Sequence, residues 1–505
     1  MRWIAIGLVI TLAAGVTACH KPASAPTDAQ AIAWREGDVN DALAEAKESN
    51  KPVLLYWGAK WCPPCNRLKS TLFKDPAFIA ETRSFVPVYL DGDTAGAQQW
   101  GQRFGIRGYP TVIVLNADGA EITRLSTASR LPEVLRLAAG RTTSIDALFD
   151  KAAKSPQALT QDEWQLLAAF DWQNDPKHFG DPAREAALLT QLAGAAPPGA
   201  LQRRFGLLAL AIGTEAGPDG KYALGPAQQA WLQQQLPLIL GNPGEVTANR
   251  LELSYAVAPL IASLPDAGQN ASLGASLVKA LDGVYGDASL PLPDRLGTVD
   301  ADILLDKARS GTVSAAVRAK VRDRAAWADQ TAKEPMVRQS VISDAADLLH
   351  AAGDDAGAKK LLQGELKRSA SPYYYMLDLA EIAEDEKDGP AAIVWARKAY
   401  ETAQGPATRV QWAIEYSKTV LRQAPGDKTA VEASAQAVID ELGKTPGSYY
   451  ERTSIKVADW GGMVRQWSTA HHADAVFARL DAGMQAACAK QGDAAAACRN
   501  WAPAG

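Results

Sequence analysis

The stretch Pro52-Val53-Leu54-Leu55-Tyr56-Trp57, then Trp61-Cys62-Pro63-Pro64-Cys65, then Asn66 to Phe73, decides the reading of this chain. An apolar run bounded by turn signals reads as a strand buried on both faces, and Asn66–Phe73 reads as a helix. A C-x-x-C between them is a working arrangement for dithiol chemistry. Cys62 falls where unpaired helix N–H groups and the macrodipole favour negative charge, so its thiolate is stabilised. Cys65 lies one turn further in, placed to attack a mixed disulfide formed on Cys62. Pro63 suits the first helical position, because its missing N–H would have had no partner there. The other reading of a C-x-x-C, half a zinc site, needs two more ligands at metal spacing. No histidine lies between His20 and His178, and no other cysteine lies between Cys19 and Cys488, so no metal is expected. The adjacent His471 and His472 would point to different faces of a helix and make no metal site.

Outward from this motif, Val39–Glu48 reads as a helix opened by Asp38 and Asp41. Ala77–Thr82 follows the Asp75-Pro76 start signal. Phe85–Leu90 is a second buried strand, Asp91-Gly92-Asp93 a turn, and Ala95–Phe104 a helix. Thr111–Leu115 and Glu121–Leu125 flank Asn116-Ala117-Asp118-Gly119 as a β-hairpin. Leu131–Ala139, with Gly140 beyond it, is a closing helix.

That element order, with Trp61-Cys62-Pro63-Pro64-Cys65 and Gly108-Tyr109-Pro110-Thr111, resembles the thioredoxin family. Lys51 to Ile122 is most similar to the periplasmic C-terminal domains of DsbD interchange proteins and related exported thioredoxins; Thr71-Leu72-Phe73, Asp75-Pro76 and Asp91-Gly92-Asp93 contribute. The resemblance implies an α/β thioredoxin fold at 34–141, with Cys62 and Cys65 as the catalytic pair. It implies a cis Pro110 beside the dithiol, and X–Pro is the one bond that adopts cis at small cost. Trp61, Pro63, Pro64, Tyr109 and Pro110 are the expected partner-docking residues, although Tyr109 reads equally well as a packing aromatic. Two positions depart from the family. Tyr56 stands where a buried aspartate usually takes the second cysteine's proton, and a phenol is a much weaker base near neutral pH. Pro63 replaces the usual glycine between the cysteines. Lys60, Arg67 and Lys69 flank the dithiol, where cations either help to hold a thiolate or are simply solvated.

At 505 residues the chain is too long for a single core. A net charge of -5 over that length gives no electrostatic case for nucleic acid or an anionic membrane surface. Residues 1–18 read as a targeting segment: Arg2 precedes an apolar run from Ile4 to Val16 that is short for a membrane span. Val16-Thr17-Ala18-Cys19 resembles the lipobox of bacterial lipoproteins, which implies cleavage before Cys19 and a lipid on its sulfur. Residues 19–33 then form a tether. His20 stands where an aspartate usually signals inner-membrane retention, so the expected location is periplasmic, lipid-anchored to the outer membrane.

Beyond residue 141 helical segments dominate, among them Asp162–Phe170, Pro182–Leu192 and Leu201–Ile212, with Pro/Gly-rich breaks at Gly194–Gly199, Gly217–Gly225 and Leu290–Asp294. The expected division is a helical region at 142–335 and a repeat-like one at 336–505. There Asp344, Ala346, Asp354, Ala358 and Pro372 recur, each 34 residues on, as Asp378, Ala380, Asp388, Ala392 and Pro406. This is similar to the tetratricopeptide repeat, with an unrelated alanine-rich bundle as the alternative. Tyr373–Tyr375, Trp395 and Trp412 line a peptide groove in one reading and fill the repeat core in the other. Cys488 and Cys498 would lie about 15 Å apart in one continuous helix. A turn at Lys490–Asp493, with Gly492, would bring them within disulfide reach, in keeping with an oxidising compartment.

The function expected from these readings is dithiol/disulfide exchange: reduction of disulfides in exported proteins, with electrons from a membrane donor of the DsbD kind and no dissociable cofactor. The alternative is a helical-repeat binding or scaffold protein whose dithiol is a sensor or a relic.

Overall fold

The computed structural model describes residues 31–36, 38–125, 130–172, 175, 178, 181–217 and 222–503. Cys19 and the lipobox-like stretch expected before it lie outside them.

Five strands form one mixed sheet: β1 (Arg35–Glu36), β2 (Val53–Gly58), β3 (Val86–Asp91), β4 (Thr111–Leu115) and β5 (Glu121–Leu125), in the order β1-β3-β2-β4-β5. β3 runs parallel to β1 and β2, whereas β4 is antiparallel to both β2 and β5. The central β2 is buried along its whole length, which is why its sequence is continuously apolar rather than alternating. Leu54 and Tyr56 enter one core with Leu68, Phe78, Val112 and Val114. Val53, Leu55 and Trp57 enter a second, on the opposite face, with Val39, Ala42, Phe104 and Ile113. The helices supplying these faces are α1 (Val39–Ser49), α2 (Pro63–Ser70), α3 (Pro76–Thr82), α4 (Ala95–Phe104) and α5 (Leu131–Ala138). The N-termini of α1, α3 and α4 are capped by side chains: Asp38 accepts from Asn40, Asp75 from Ala77 and Phe78, and Thr94 from Ala97.

Two local readings differ from the observed chain. The two-residue edge strand β1 was too short to leave a pattern, and its register with Val88 and Tyr89 places it. α2 stops at Ser70, after which Leu72–Lys74 is a 3₁₀ turn, so the helix is shorter than the apolar spacing through Phe73 suggested.

The first core does not end with the sheet. It runs on through Leu131, Ile145, Trp164 and Phe205 to Leu208, so the helices that follow pack directly against the thioredoxin-like layer. Three further cores succeed one another along the chain, spanning Leu207–Leu305, Leu296–Ile382 and Ala380–Ala502. Overlapping cores of this kind are what stacked helices produce when each layer packs on its neighbours. Part of the Leu290–Asp294 break is helical, as Leu292–Leu296. The 34-residue spacing has a structural counterpart. Asp354 and Asp388 cap the helices Asp355–Glu365 and Gly389–Thr402, and Ala358 and Ala392 are fully buried in them. Near the C-terminus Cys488 and Cys498 form a disulfide, with Cα atoms 5.4 Å apart. Gly492, at φ +57°, turns the chain between them. Among the described residues no helix is long and apolar enough to cross a membrane.

Candidate active site

The dithiol sits where β2 hands over to α2. Cys62 is the N-cap of α2, and its Sγ accepts the backbone N–H of Cys65 at 3.2 Å. Pro63 occupies the first helical position. The two sulfurs are joined in a disulfide, with Cα atoms 5.2 Å apart. The Tyr109–Pro110 peptide, which leads into β4, is cis. Trp61 lies against Tyr109, ring centroids 6.2 Å apart, and donates its Nε1–H to Asp93 Oδ2 at 2.7 Å. The fold thus draws Trp61, Cys62, Cys65, Tyr109 and Pro110 to one edge of the sheet, at the ends of β2, β3 and the 108–110 turn. Cys19, the expected lipidation site, falls outside the described residues.

Tyr56 lies beneath this edge. Its ring stacks on Tyr89 at 5.6 Å and its hydroxyl, aimed at Gly58, has no hydrogen-bond partner among the described residues. Burial, then the neighbouring Tyr89, push its ionisation above the ordinary phenol range, so it accepts no proton near neutrality. Asp93 is the half-buried carboxylate beside Trp61; burial raises its pKa and the indole hydrogen bond opposes that shift. Lys69 is half-buried, its Nζ donating to the Ala59 carbonyl at 3.2 Å and lying 5.4 Å from the centre of the Tyr89 ring. Lys60 is exposed.

The helical region closes over this edge. Tyr373, Ala399, Ala403 and Trp412 form one apolar cluster with Ala59, Trp61, Cys62 and Cys65, and Tyr374 and Tyr400 pack against it. Cys62 is 2% exposed and Cys65 0%. Polar contacts lock the two parts together. Ser371 Oγ donates to the Trp61 carbonyl at 3.3 Å, and Asn66 Nδ2 donates to Gln339 Oε1 at 3.0 Å. Arg67 pairs with Asp294 at 2.6 Å, a carboxylate it shares with Arg250. Arg452 lays its guanidinium over the Trp61 and Tyr109 rings. Gly405, at φ +95°, lets the turn before Trp412 approach Trp61 so closely that a Cβ there would meet Trp61 Nε1 at 2.5 Å.

Much of this cover was not legible in the sequence. The tyrosine run and Trp412 stood out as aromatics, but nothing in their spacing pointed at residues some three hundred positions away. Ser371, Gln339, Gly405 and Arg452 left no signal at all.

Two cavities flank the site. A groove of about 790 Å³ runs from Pro64 and the 108–111 segment to Arg124, Asp175 and Glu185, so it opens beside the cis proline. A larger cleft of about 1170 Å³ touches only Arg67, Thr71 and Leu72 of the dithiol segment and lies away from the sulfurs. At the groove's far end Glu121, Asp175 and His178 bring ligand-type atoms within 4.8 Å of one another. Arg124 sits among them, holding both Glu121 oxygens at 2.5 and 2.7 Å and Asp175 at 3.2 Å, so the arrangement is an ion-pair network centred on a guanidinium.

Comparison with known proteins agrees with the geometry. The family model for a thioredoxin-like domain matches residues 39–138. The thiol:disulfide interchange protein DsbD 1 of Pseudomonas aeruginosa is 31% identical over 127 residues, which cover 24% of this chain and 21% of that protein. DsbD of Vibrio vulnificus is 32% identical over 88 residues, covering 17% and 15% respectively. The chain thus spans about a fifth or less of the length of these interchange proteins. Thioredoxin H4 of Arabidopsis thaliana is 30% identical over 107 residues, which are 21% of this chain but 86% of that protein. By the domain that carries Cys62 and Cys65, the chain belongs to the thioredoxin-like family.

Proposed function

We propose that the protein is a periplasmic, lipid-anchored protein-disulfide reductase working by exchange at Cys62-Pro63-Pro64-Cys65. The observation that carries this reading is the Cys62–Cys65 pair at the N-terminus of α2, with Tyr109 of the 108–110 turn packed against it. In the reduced protein the Cys62 thiolate, favoured by the helix terminus, attacks one sulfur of a substrate disulfide and expels the other as a thiol. Cys65 then attacks the mixed disulfide, releases the second substrate thiol and closes Cys62–Cys65. Two electrons have passed to the substrate. A membrane dithiol donor of the DsbD kind returns them, and Cys19 ties the protein to the membrane. The groove from Pro64 and Pro110 to Glu185 is the side from which an extended substrate segment reaches the dithiol. Reduction of a model protein disulfide by the pre-reduced protein, abolished by Cys62→Ser, tests the reading.

One observation favours a second reading. Cys62 lies buried beneath Tyr373 and Trp412, as it would in a helical binding or scaffold protein whose dithiol senses redox state. A sensor of that kind titrates with glutathione but does not turn over protein disulfides.

A further inference from the structure

The cover brings one charge to the dithiol. Arg452 is the second residue of the helix Glu451–Ala470, whose first turn is pinned to the thioredoxin-like layer: the Glu451 N–H donates to Gln102 Oε1 at 2.6 Å, and the Glu451 carboxylate pairs with Arg107 at 3.4 Å. The guanidinium lies 5.0 Å from the Tyr109 ring centre and 6.0 Å from that of Trp61, the residues that precede Pro110 and Cys62. Its Nη1 is buried and has no hydrogen-bond partner among the described residues.

A cation withdrawn from water without a bonded carboxylate is costly, and ring faces recover only part of that cost. Burial lowers the guanidinium pKa, with Tyr109, Tyr374 and Asp93 opposing the shift. The other titratable or charged groups facing the dithiol are Lys69 of α2, Asp93 of the turn after β3, and Tyr373 and Tyr400 from the cover. Lys69 is turned to the Ala59 carbonyl. In the disulfide state Asp93 is the carboxylate that answers Arg452, and among the described residues no hydrogen bond joins the two. Reduction adds a second negative charge. A dithiol reductant gives two electrons to Cys62–Cys65 and itself becomes a disulfide; of its two protons one goes to Cys65 and one to water, leaving Cys62 as a thiolate.

We propose that Arg452 is a positioning residue for the dithiol: carried from the helical region onto Trp61 and Tyr109, it stabilises the thiolate of reduced Cys62. The proposal rests on the exchange reading above and adds that the helical region sets the chemistry of the pair it covers.

The test is a pH titration of the reduced protein by thiolate ultraviolet absorbance, with equilibration against glutathione as a second readout. Arg452→Gln is expected to raise the Cys62 pKa by about one unit. It should also shift the glutathione equilibrium about tenfold towards the disulfide, about 30 mV for a two-electron couple. Arg452→Lys, which keeps the charge, should restore most of both shifts, which a merely structural role would not do. If glutamine is not tolerated between the rings, Arg452→Met, apolar and of similar length, is read in the same way. A Cys62 pKa and a glutathione equilibrium unchanged in the folded neutral variants would overturn the proposal. A parent protein whose dithiol does not exchange with glutathione would instead overturn the exchange reading, and the thiolate titration would still decide the role of Arg452.

Discussion

Replacing Gly405 by alanine should pry the helical cover off the dithiol. Gly405 sits in the turn between the helices Gly389–Thr402 and Arg409–Gln423, at φ +95°. A Cβ there would lie 2.5 Å from Trp61 Nε1 and 2.8 Å from Asp93 Oδ1, across the contact, and 2.6 Å from Thr408 Oγ1 within its own turn. Trp61 and Asp93 cannot easily yield, because their side chains are bonded to each other at 2.7 Å. Two costs must be separated. The positive φ costs about 1–2 kcal/mol for any residue with a Cβ and is carried whether the cover is on or off. The clash with Trp61 and Asp93 exists only when the cover is on, and overpacking of this kind costs about 1–3 kcal/mol. At about 1.4 kcal/mol per factor of ten, the uncovered fraction should rise about 5- to 150-fold. The assay compares the rates at which a small dithiol and a protein dithiol reduce Cys62–Cys65. Since a protein needs the cover displaced more fully, the ratio of protein to small-molecule rate should rise by up to that factor. A ratio unchanged in a folded Gly405→Ala protein would refute the argument that this contact limits access.

Three further outcomes follow from other parts of the molecule. The double variant Cys488→Ala/Cys498→Ala should lose about 3 kcal/mol of stability in the chain-entropy model, read as a lower urea midpoint under non-reducing conditions; an unchanged midpoint would show that the tail closes no constraint. Tyr56→Phe removes a buried hydroxyl that has no partner among the described residues, so stability should hold or rise slightly and the pH profile of exchange should not move; a shifted profile would put the phenol on the proton route. Burial first, then Asp175 and Asp171, push the Glu185 carboxyl up to about 8. The folded protein therefore keeps a proton that the unfolded chain releases near about pH 4.3, so this contribution is full below that pH and is lost as pH rises through about 8. Glu185→Gln should flatten that part of the stability profile; urea midpoints at about pH 5 and about pH 9 that differ as much in the variant as in the parent would contradict it.

What was legible in the sequence follows from how local each signal is. Thr111–Leu115 and Glu121–Leu125 were bounded correctly, because a hairpin's strands and turn are set by neighbouring residues. β2 could be read because a central strand is apolar on both faces, and the handover to α2 because a cysteine cap and a first-turn proline mark it. Arg35–Glu36 could not be read, since two polar residues carry no period and only their pairing with β3 makes them a strand. The cover over Cys62 was beyond reach for a different reason. Tyr373 and Trp412 look like ordinary core aromatics in any helical stack, and what makes them part of the site is the docking of one layer on another. Arg452 Nη1, buried and without a partner among the described residues, likewise has meaning only in three dimensions.

The most direct test of the exchange mechanism is to trap its intermediate. In Cys65→Ser the Cys62 thiolate can still attack a protein disulfide, but no second thiol is present to release the product. Pre-reduced Cys65→Ser, incubated with a model protein disulfide such as insulin, should accumulate a one-to-one adduct through Cys62 that reductant dissolves, and Cys62→Ser should form none. A reduction potential near about -270 mV, rather than about -120 mV, would place the couple among reductants. Absence of any Cys62 adduct in a folded Cys65→Ser protein whose Cys62 thiol is accessible to a small disulfide would contradict protein-disulfide exchange as its function.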